Sequence, residues 1–315
     1  MPSLVTQLLE LYIRLGGGVL LGWFLGRQSP KILSTYLGKF LFWVGVPISI
    51  FAFLRQADLS GPIWIAAVAA WAAIFLGAGL AWISISRQAS LVRPTQGSFL
   101  LASMVGNTGY LGYPVTLSLV GSHYFGWALF YDLPGTTLGA YGLGVILAAR
   151  FGRGTQSYWQ LMQAFLKNPA MWSFGLGLSL RQLPLPTPVE HSLQLSAWTV
   201  VALSLVLIGM RLSQLSTWGS LRQASISLGI KMLLVPLVLG VGMRLLGVTG
   251  SPLLVIVLQM AMPPAFATLV LAEAYNLDRD LAVTALAVGS IALLFTLPLW
   301  LLLFPVELVS DVLPR

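Results

Sequence analysis

Apolar residues run along this chain in long continuous stretches, without the period-two alternation of a half-buried strand. Charges, glycines and prolines separate ten such stretches, at 4–26, 32–54, 62–85, 96–120, 122–149, 169–183, 190–213, 224–246, 252–275 and 279–304. A helix needs about 20 apolar residues to cross the hydrocarbon core of a bilayer. The pattern therefore predicts an all-α integral membrane protein of ten transmembrane helices, and the missing alternation counts against a membrane β-barrel. The sixth stretch is short for a crossing and ends sharply at Pro184, Pro186 and Pro188. No basic segment precedes the first stretch and no small-residue cleavage site follows it, so it reads as a retained span rather than a removable signal peptide.

Composition narrows the function classes. The chain has 315 residues, 57% hydrophobic and only 8% charged, whereas soluble domains carry about a quarter charged residues. No sizeable soluble domain fits beside ten crossings. The absence of cysteine excludes disulfides, thiolate metal sites and cysteine nucleophiles. There is no phosphate-binding glycine loop, dinucleotide fingerprint, zincin motif or nucleophile elbow, so no cofactor is expected and uphill work would draw on a proton or sodium gradient or on the membrane potential. His123 and His191 are assigned to outer connections as isolated, solvated side chains without metal-ligand spacing.

The net charge of +8 reads as the basic excess of cytoplasmic loops rather than as a nucleic-acid surface. Connections after odd-numbered stretches hold Arg27, Lys31, Arg87, Arg93, Arg150, Arg153, Lys167, Arg211, Arg222 and Arg279; the even connections and termini hold Arg55, Arg181, Arg244 and Arg315. Odd connections are thus expected in the cytoplasm and both termini outside, with Glu10 and Arg14 at the outer end of the first span and Glu307 and Asp311 in an outer tail. The longest polar stretch, 151–167, divides the chain into a first five-helix unit (1–150) and a second (168–315). With an odd number of crossings each, the two halves enter the membrane from opposite sides, and a shared fold would make them an inverted repeat, a transporter architecture.

Two spans are interrupted. The fourth contains Gly106-Asn107-Thr108-Gly109-Tyr110-Leu111-Gly112-Tyr113-Pro114, and the ninth contains Met262-Pro263-Pro264-Ala265. Glycines and prolines at this density do not hold a continuous helix. Each break falls in the fourth span of its own half, and breaks at corresponding places mark a midplane substrate site lined by irregular backbone. Free amides where half-helices start would favour an anion. Two proline kinks packed by neighbours would give the same pattern without a site.

These two motifs, with Glu273-Ala274-Tyr275-Asn276-Leu277-Asp278, resemble the auxin efflux carrier family of bacterial and plant transporters, over essentially the whole chain. The resemblance implies a fold related to the bile acid sodium symporters: a scaffold of spans 1, 2, 6 and 7, a transport unit of spans 3–5 and 8–10, and a solute held at the crossover of spans 4 and 9 that moves by an elevator step. It implies an organic anion as substrate, auxin in plants or a dicarboxylate in bacteria, and residence in the bacterial inner membrane. The family's crossover asparagine falls on Asn107, and its crossover prolines on Pro114 and on Pro263-Pro264. A loop of about seventeen residues stands where plant members have a long one, and Tyr110 stands where some members have a second asparagine; both departures count against auxin itself.

The expected substrate-binding residues are therefore Asn107, Thr108, Gly109, Tyr110, Pro114, Met262, Pro263 and Pro264, with Tyr113, Gln259 and Thr268 as further specificity positions because they lie near the breaks. Asp132, the only acidic residue deep inside a span, is the candidate for a coupling proton or cation; a structural hydrogen bond to Asn107, Thr108, a tyrosine or the amides freed by Pro134 is the alternative. Lys231 is expected to snorkel to the cytoplasmic face, or else to pair with the substrate or with Asp132. Lys39 and Arg14 read as snorkelling anchors, and Asp278 as the cap of the last helix. Gly18, Gly22 and Gly26 form a small-residue stripe for packing within the chain or for a homodimer seam, and Gly135 and Gly139 are expected to admit span 4 or 9. A sodium-coupled symporter is the rival within transport; a channel, an anion sensor and an intramembrane enzyme are rivals outside it.

Overall fold

The structure, a computed structural model, describes residues 4–88, 91–152, 166–214 and 220–305, together with 159 and 163. The expectations for Arg153, for most of the 151–167 loop, for the Glu10 and Arg14 side chains and for the tail with Glu307, Asp311 and Arg315 lie outside the described residues. The described chain is helical, without strands. The helices are α1 (Leu4–Gln28), α2 (Lys31–Gln56), α3 (Trp64–Ser86), α4 (Arg93–Met104), α5 (Tyr113–Leu119), α6 (125–151), α7 (Pro169–Leu180), α8 (Thr187–Ser213), α9 (Leu221–Leu245), α10 (Gly250–Met260), α11 (Phe266–Ala274) and α12 (Arg279–Leu303). Among the described residues α2, α3, α8, α9 and α12 are long and apolar enough to cross a membrane by length and composition. His191 lies inside α8 rather than in a connection, and it is exposed there.

Several helices carry π turns: Leu41–Gly45 in α2, Asp132–Thr137 and Ala140–Gly144 in α6, and Gly229–Leu234 in α9. Pro47, Pro134 and Pro236 stand in or just after these turns, where a ring that cannot donate to the ladder displaces it locally. The short α7 is closed by Arg55, whose guanidinium donates to the Leu180 and Leu183 carbonyls at 3.1 and 3.0 Å and pairs with Glu190 at 2.9 Å. At the same end, Arg181 donates to the Ala57 carbonyl at 2.8 Å. Nearby, His123 lies 3.6 Å from Asp58, whose carboxyl the Ser60 amide and hydroxyl hold below the usual carboxylate range. At the opposite end, Asp278 caps α12 as expected, accepting from the Leu281 amide at 2.9 Å, and also accepts from Thr95 at 2.7 Å. There α11 stops in a left-handed Asn276 (φ 53°), with the Leu277 amide returning to the Ala272 carbonyl at 2.8 Å.

Packing falls into two sets. The α1 helix lies along α8, and α2 packs against α7 and α8; α3 packs on α4 and α6, and α9 on α12 and α10. The Gly18, Gly22 and Gly26 stripe is consumed by the first set: a methyl on Gly22 would collide with the Val206 carbonyl, and one on Gly209 with the Val19 carbonyl. It is a seam within the chain, the first of the two uses that the sequence offered for it. Gly135 and Gly139 also differ from expectation, because the helix they admit is α3, at Ala70 and Ile74, rather than span 4 or 9.

Candidate functional site

The two interruptions meet. Helix α4 ends at Met104 and α10 at Met260, and the irregular backbone beyond each pairs with the other as a single antiparallel bridge between Gly106 and Pro264. The Asn107 amide donates to the Pro263 carbonyl at 2.7 Å, and the Ala265 amide to the Val105 carbonyl at 3.0 Å. Backbone groups released from a helix inside an apolar protein are costly unless paired, and each break supplies what the other lost. The prolines are thus adapted to the crossing: Pro263 has no amide to satisfy but offers its carbonyl. Beyond the bridge the Asn107 carbonyl accepts from Gly112 at 3.0 Å and from Leu111 at 3.3 Å, which starts the π turn Thr108–Gly112 leading into α5.

A cavity of about 160 Å³ opens beside the bridge. Its wall joins the first break at Gly106, Asn107, Thr108, Gly109 and Tyr110 to Tyr113, to Asp132, Thr136, Thr137 and Tyr141 of α6, and to Ala265, Phe266 and Ala267 at the start of α11. Phe42 and Val46 of α2, with Asn168 and Ala170 at the start of α7, close it from the other set of helices. The cavity therefore lies between the two sets. The start of α11 has no side-chain cap; the Thr268 amide turns back to the Ala265 carbonyl at 3.0 Å, and Phe266 and Ala267, whose amides precede the helical ladder, line the wall.

Asp132 is buried at 7% exposure and accepts three hydroxyl bonds: Thr108 donates to Oδ1 at 2.6 Å, Tyr113 to Oδ2 at 2.6 Å and Thr137 to Oδ1 at 3.2 Å. Of the partners that the sequence suggested for it, Thr108 and a tyrosine, Tyr113, are found, and Asn107 and the amides freed by Pro134 are not among those bonded to it; the Pro134 carbonyl accepts from the Trp71 indole at 3.0 Å. Among the described residues no cation pairs with Asp132. Asn107 is likewise buried, at 4% exposure, and among the described residues no partner takes its carboxamide. An unpartnered carboxamide on a cavity wall is poised for a ligand or water.

Lys231 corrects its expectation. It does not snorkel, being only 2% exposed, and it pairs with neither Asp132 nor the cavity; its ammonium donates to the Met260 carbonyl at 2.7 Å, at the C-terminus of α10. A cation there meets the negative end of the broken helix. It also backs the bridge, since a Cβ on Gly106 would lie 3.1 Å from its Nζ.

The other expected residues divide. Asn107, Thr108, Gly109, Tyr110 and Tyr113 line the cavity together with Asp132, whereas Pro114, Met262, Pro263, Pro264, Gln259 and Thr268 do not. Met262 is fully buried, and Pro263 and Pro264 form the bridge. Gln259 donates to Thr116 at 3.1 Å and so ties α10 to α5, and Thr268 donates to the Ala265 carbonyl at 2.7 Å inside the first turn of α11. Sequence reasoning missed Thr136, Thr137, Tyr141, Phe266 and Asn168. Thr136 stands four residues after Asp132, a spacing that could have marked one face of α6; Tyr141, nine residues on, would fall on the opposite face of a regular α-helix, and two π turns lie between Asp132 and the end of that stretch.

Comparison with known proteins gives the family. The model of the family described as membrane transport protein matches residues 5–152 and again 153–301. An uncharacterized transporter of Methanothermobacter thermautotrophicus is 32% identical over 90% of this chain and 93% of its own. An uncharacterized transporter of Methanocaldococcus jannaschii is 26% identical over 90% of this chain and 94% of its own. These relatives are transporters rather than enzymes. With two family matches spanning nearly the whole length and two broken helices paired at a buried cavity, the chain belongs to the membrane transport protein family, the group of auxin efflux carriers that its motifs resemble.

Proposed function

We propose that this protein is a secondary transporter of a small organic anion, a carboxylate, working by alternating access around the paired breaks. The observation that carries the reading is the Asn107 carboxamide, buried on the cavity wall without a protein partner. A carboxylate would accept from Asn107 and from the Phe266 and Ala267 amides at the uncapped start of α11, where the helix dipole also favours negative charge. Asp132, ringed by hydroxyls on the same wall, would carry the coupling proton or cation. Lined by the backbone of the first break, a few polar side chains and several aromatic ones, a cavity of about 160 Å³ suits a solute of roughly six heavy atoms, since a 150 Å³ protein cavity holds benzene. Malonate or malate fits that size better than indole-3-acetate.

The ten crossings would form two inverted five-helix repeats in a plasma membrane, the bacterial inner membrane, with both termini outside. The first set of helices (α1, α2, α7 and α8) would be the scaffold and the second (α3–α6 and α9–α12) the moving unit. A cavity walled by both sets is what an elevator step requires, because sliding one set exchanges the wall that closes the site.

The test is uptake of labelled mono- and dicarboxylates and indole-3-acetate into proteoliposomes under imposed proton or sodium gradients. Saturable flux of one acid is expected, lost in Asn107→Ala while that variant stays monodisperse in detergent. Wild-type uptake by Asn107→Ala would refute the assignment. Flux that does not saturate would indicate a channel, and strict sodium dependence would make the coupling that of a sodium symporter.

A further inference from the structure

Among the described residues, the wall that the first set of helices gives to the cavity consists of Phe42, Val46, Asn168 and Ala170, and Asn168 is its one polar side chain. It stands at the start of α7, a helix of 12 residues. Such a helix is about 18 Å long against a hydrocarbon core of about 30 Å, too short to carry both of its ends to water. The far end is held by Arg55 through the Leu180 and Leu183 carbonyls, and the near end stands in the cavity wall.

Half of the Asn168 carboxamide is committed. Its side-chain oxygen accepts from the Ala170 amide at 3.0 Å and its main-chain carbonyl from the Met171 amide at 3.1 Å, while Pro169 has no amide to offer. The cap fixes which way the carboxamide faces, because only Oδ1 can accept from an amide. Nδ2 keeps its two donors, and among the described residues nothing accepts from them. The residue is 7% exposed, yet the fully occluded atoms without a partner belong instead to Gln214, Gln223, Gln259 and Trp300. Nδ2 therefore reaches the space of the cavity that Asn168 lines, as does the carboxamide of Asn107 on the opposite wall.

A cap needs an acceptor only. Asp and Ser meet that need about as well as Asn, and Asp adds a charge that the helix dipole favours, but neither brings an N–H donor. What Asn adds here is a neutral cap that turns a donor toward the cavity, where a carboxylate cap would repel an anion.

We propose that Asn168 is a specificity-determining contact for the solute, whose Nδ2 donates to a carboxylate oxygen from the α7 side while Asn107 and the start of α11 hold the solute from the other. The inference rests on the reading of the cavity as an organic-anion site. It narrows the substrate class to acids with an oxygen-bearing group at each end, since the donors stand on walls supplied by different sets of helices. A diacid of malonate or malate size reaches both, whereas acetate has a methyl at one end.

The experiment measures the dissociation constants of malonate, malate and acetate for purified detergent-solubilised protein by titration calorimetry at neutral pH. Wild type is compared with Asn168→Ser, Asn168→Asp and Asn107→Ala, with the melting temperature of each recorded. Wild type should bind malonate or malate more tightly than acetate. Asn168→Ser keeps an acceptor for the cap and loses the N–H donor, and should weaken the diacid about tenfold, as expected for one lost hydrogen bond to a charged group. Asn168→Asp also keeps the cap but sets a charge against the solute; it should weaken binding about a hundredfold or more while its melting temperature holds or rises. Falling affinity beside a maintained melting temperature is a result that an asparagine serving only as a cap does not give. Wild-type affinity in both Asn168 variants beside lost affinity in Asn107→Ala would overturn the proposal while sparing the cavity. Lost affinity accompanied by a collapse of the melting temperature in both Asn168 variants would overturn it too, by assigning the residue to the helix alone. Acetate bound as tightly as the diacids would overturn the two-ended solute. Absence of binding of all three acids by wild type would overturn both the inference and the anion reading beneath it.

Discussion

Asp132 and Lys231 are two buried ionisable groups on opposite sides of one crossing, and their surroundings differ in kind. Lys231 is sealed in α9, and its ammonium goes to a main-chain carbonyl that α10 could not satisfy once it was broken. Asp132 opens on the cavity and, among the described residues, is met only by hydroxyls, from Thr108, Tyr113 and Thr137. A hydroxyl can rotate to donate or to accept, so the ring around Asp132 tolerates gain or loss of a proton; a lone carbonyl can only accept, and it wants a donor permanently. The first arrangement suits a group that changes state during a cycle, the second one that holds a backbone in place. Two charges that look alike in sequence, each a lone ionisable residue in an apolar span, thus differ in what their partners can do, and under the proposed function Asp132 would be the working one and Lys231 the structural one.

The strongest way to break this contrast is to reverse the sealed charge. Lys231→Glu would place an anion against the negative end of α10, and leaving a buried charge uncompensated costs about 3–5 kcal/mol; loss of monodisperse protein or a large fall in melting temperature is expected. Normal folding of that variant would show that Lys231 is not structural. Asp132→Asn tests the other side. It keeps the shape and should leave the melting temperature nearly unchanged, while carboxylate uptake falls at least about tenfold, equivalent to ~1.4 kcal/mol of barrier, and what remains no longer responds to a proton gradient. A melting profile that collapsed like that of Lys231→Glu would make the two charges equivalents after all.

Smaller changes sharpen the comparison at its edges. Gly106→Ala puts a methyl 3.1 Å from the Lys231 ammonium and Gly109→Ala one 3.4 Å from the Asp132 carboxyl. The first presses on a fixed group and should cost about 1 kcal/mol or more of stability. The second stays in ordinary contact and should alter solute affinity more than melting temperature; thermal unfolding beside calorimetric titration of malonate separates the two. The smallest effect is expected from Thr137→Val, which removes the longest of the three hydroxyl contacts to Asp132, 3.2 Å. It should cost about 0.5–1.5 kcal/mol at most, visible as a modest shift in the pH dependence of uptake with folding intact.

Much of the site was readable beforehand, for identifiable reasons. Glycine and proline density marks a broken helix wherever it occurs, so the segments around Asn107 and Pro263 declared themselves, and Asp132 stood out because a carboxylate is rare inside an apolar span. Asp278 as a cap was equally local. What failed was partner assignment. Gln259 and Thr268 were included for closeness in sequence to a break, and Pro263 and Pro264 through the family resemblance, yet the bridge between the two breaks takes up Pro263 and Pro264 and none of the four lines the cavity. Lys231 and Arg211 were both read as membrane-edge cations, since position within a span was the sole guide; the first turned out to serve α10 and the second to lie on Phe266 of α11, contacts between segments far apart in the chain.

By itself the sequence determined that this chain is helical and rich in apolar stretches of membrane-crossing length, that two of its helices must break, and that Asp132 stands as an isolated carboxylate within such a stretch. Those properties follow from local physics: hydrophobic length, missing amide donors and the cost of an isolated charge. Only the tertiary structure decided that the breaks satisfy one another through the Asn107–Pro263 and Ala265–Val105 hydrogen bonds, that the cavity lies between two sets of helices, and that Asp132 faces it while Lys231 does not. Each of these depends on which distant backbone group or side chain arrives within about 3 Å, the range in which a hydrogen bond forms, and no local pattern of residues encodes that meeting.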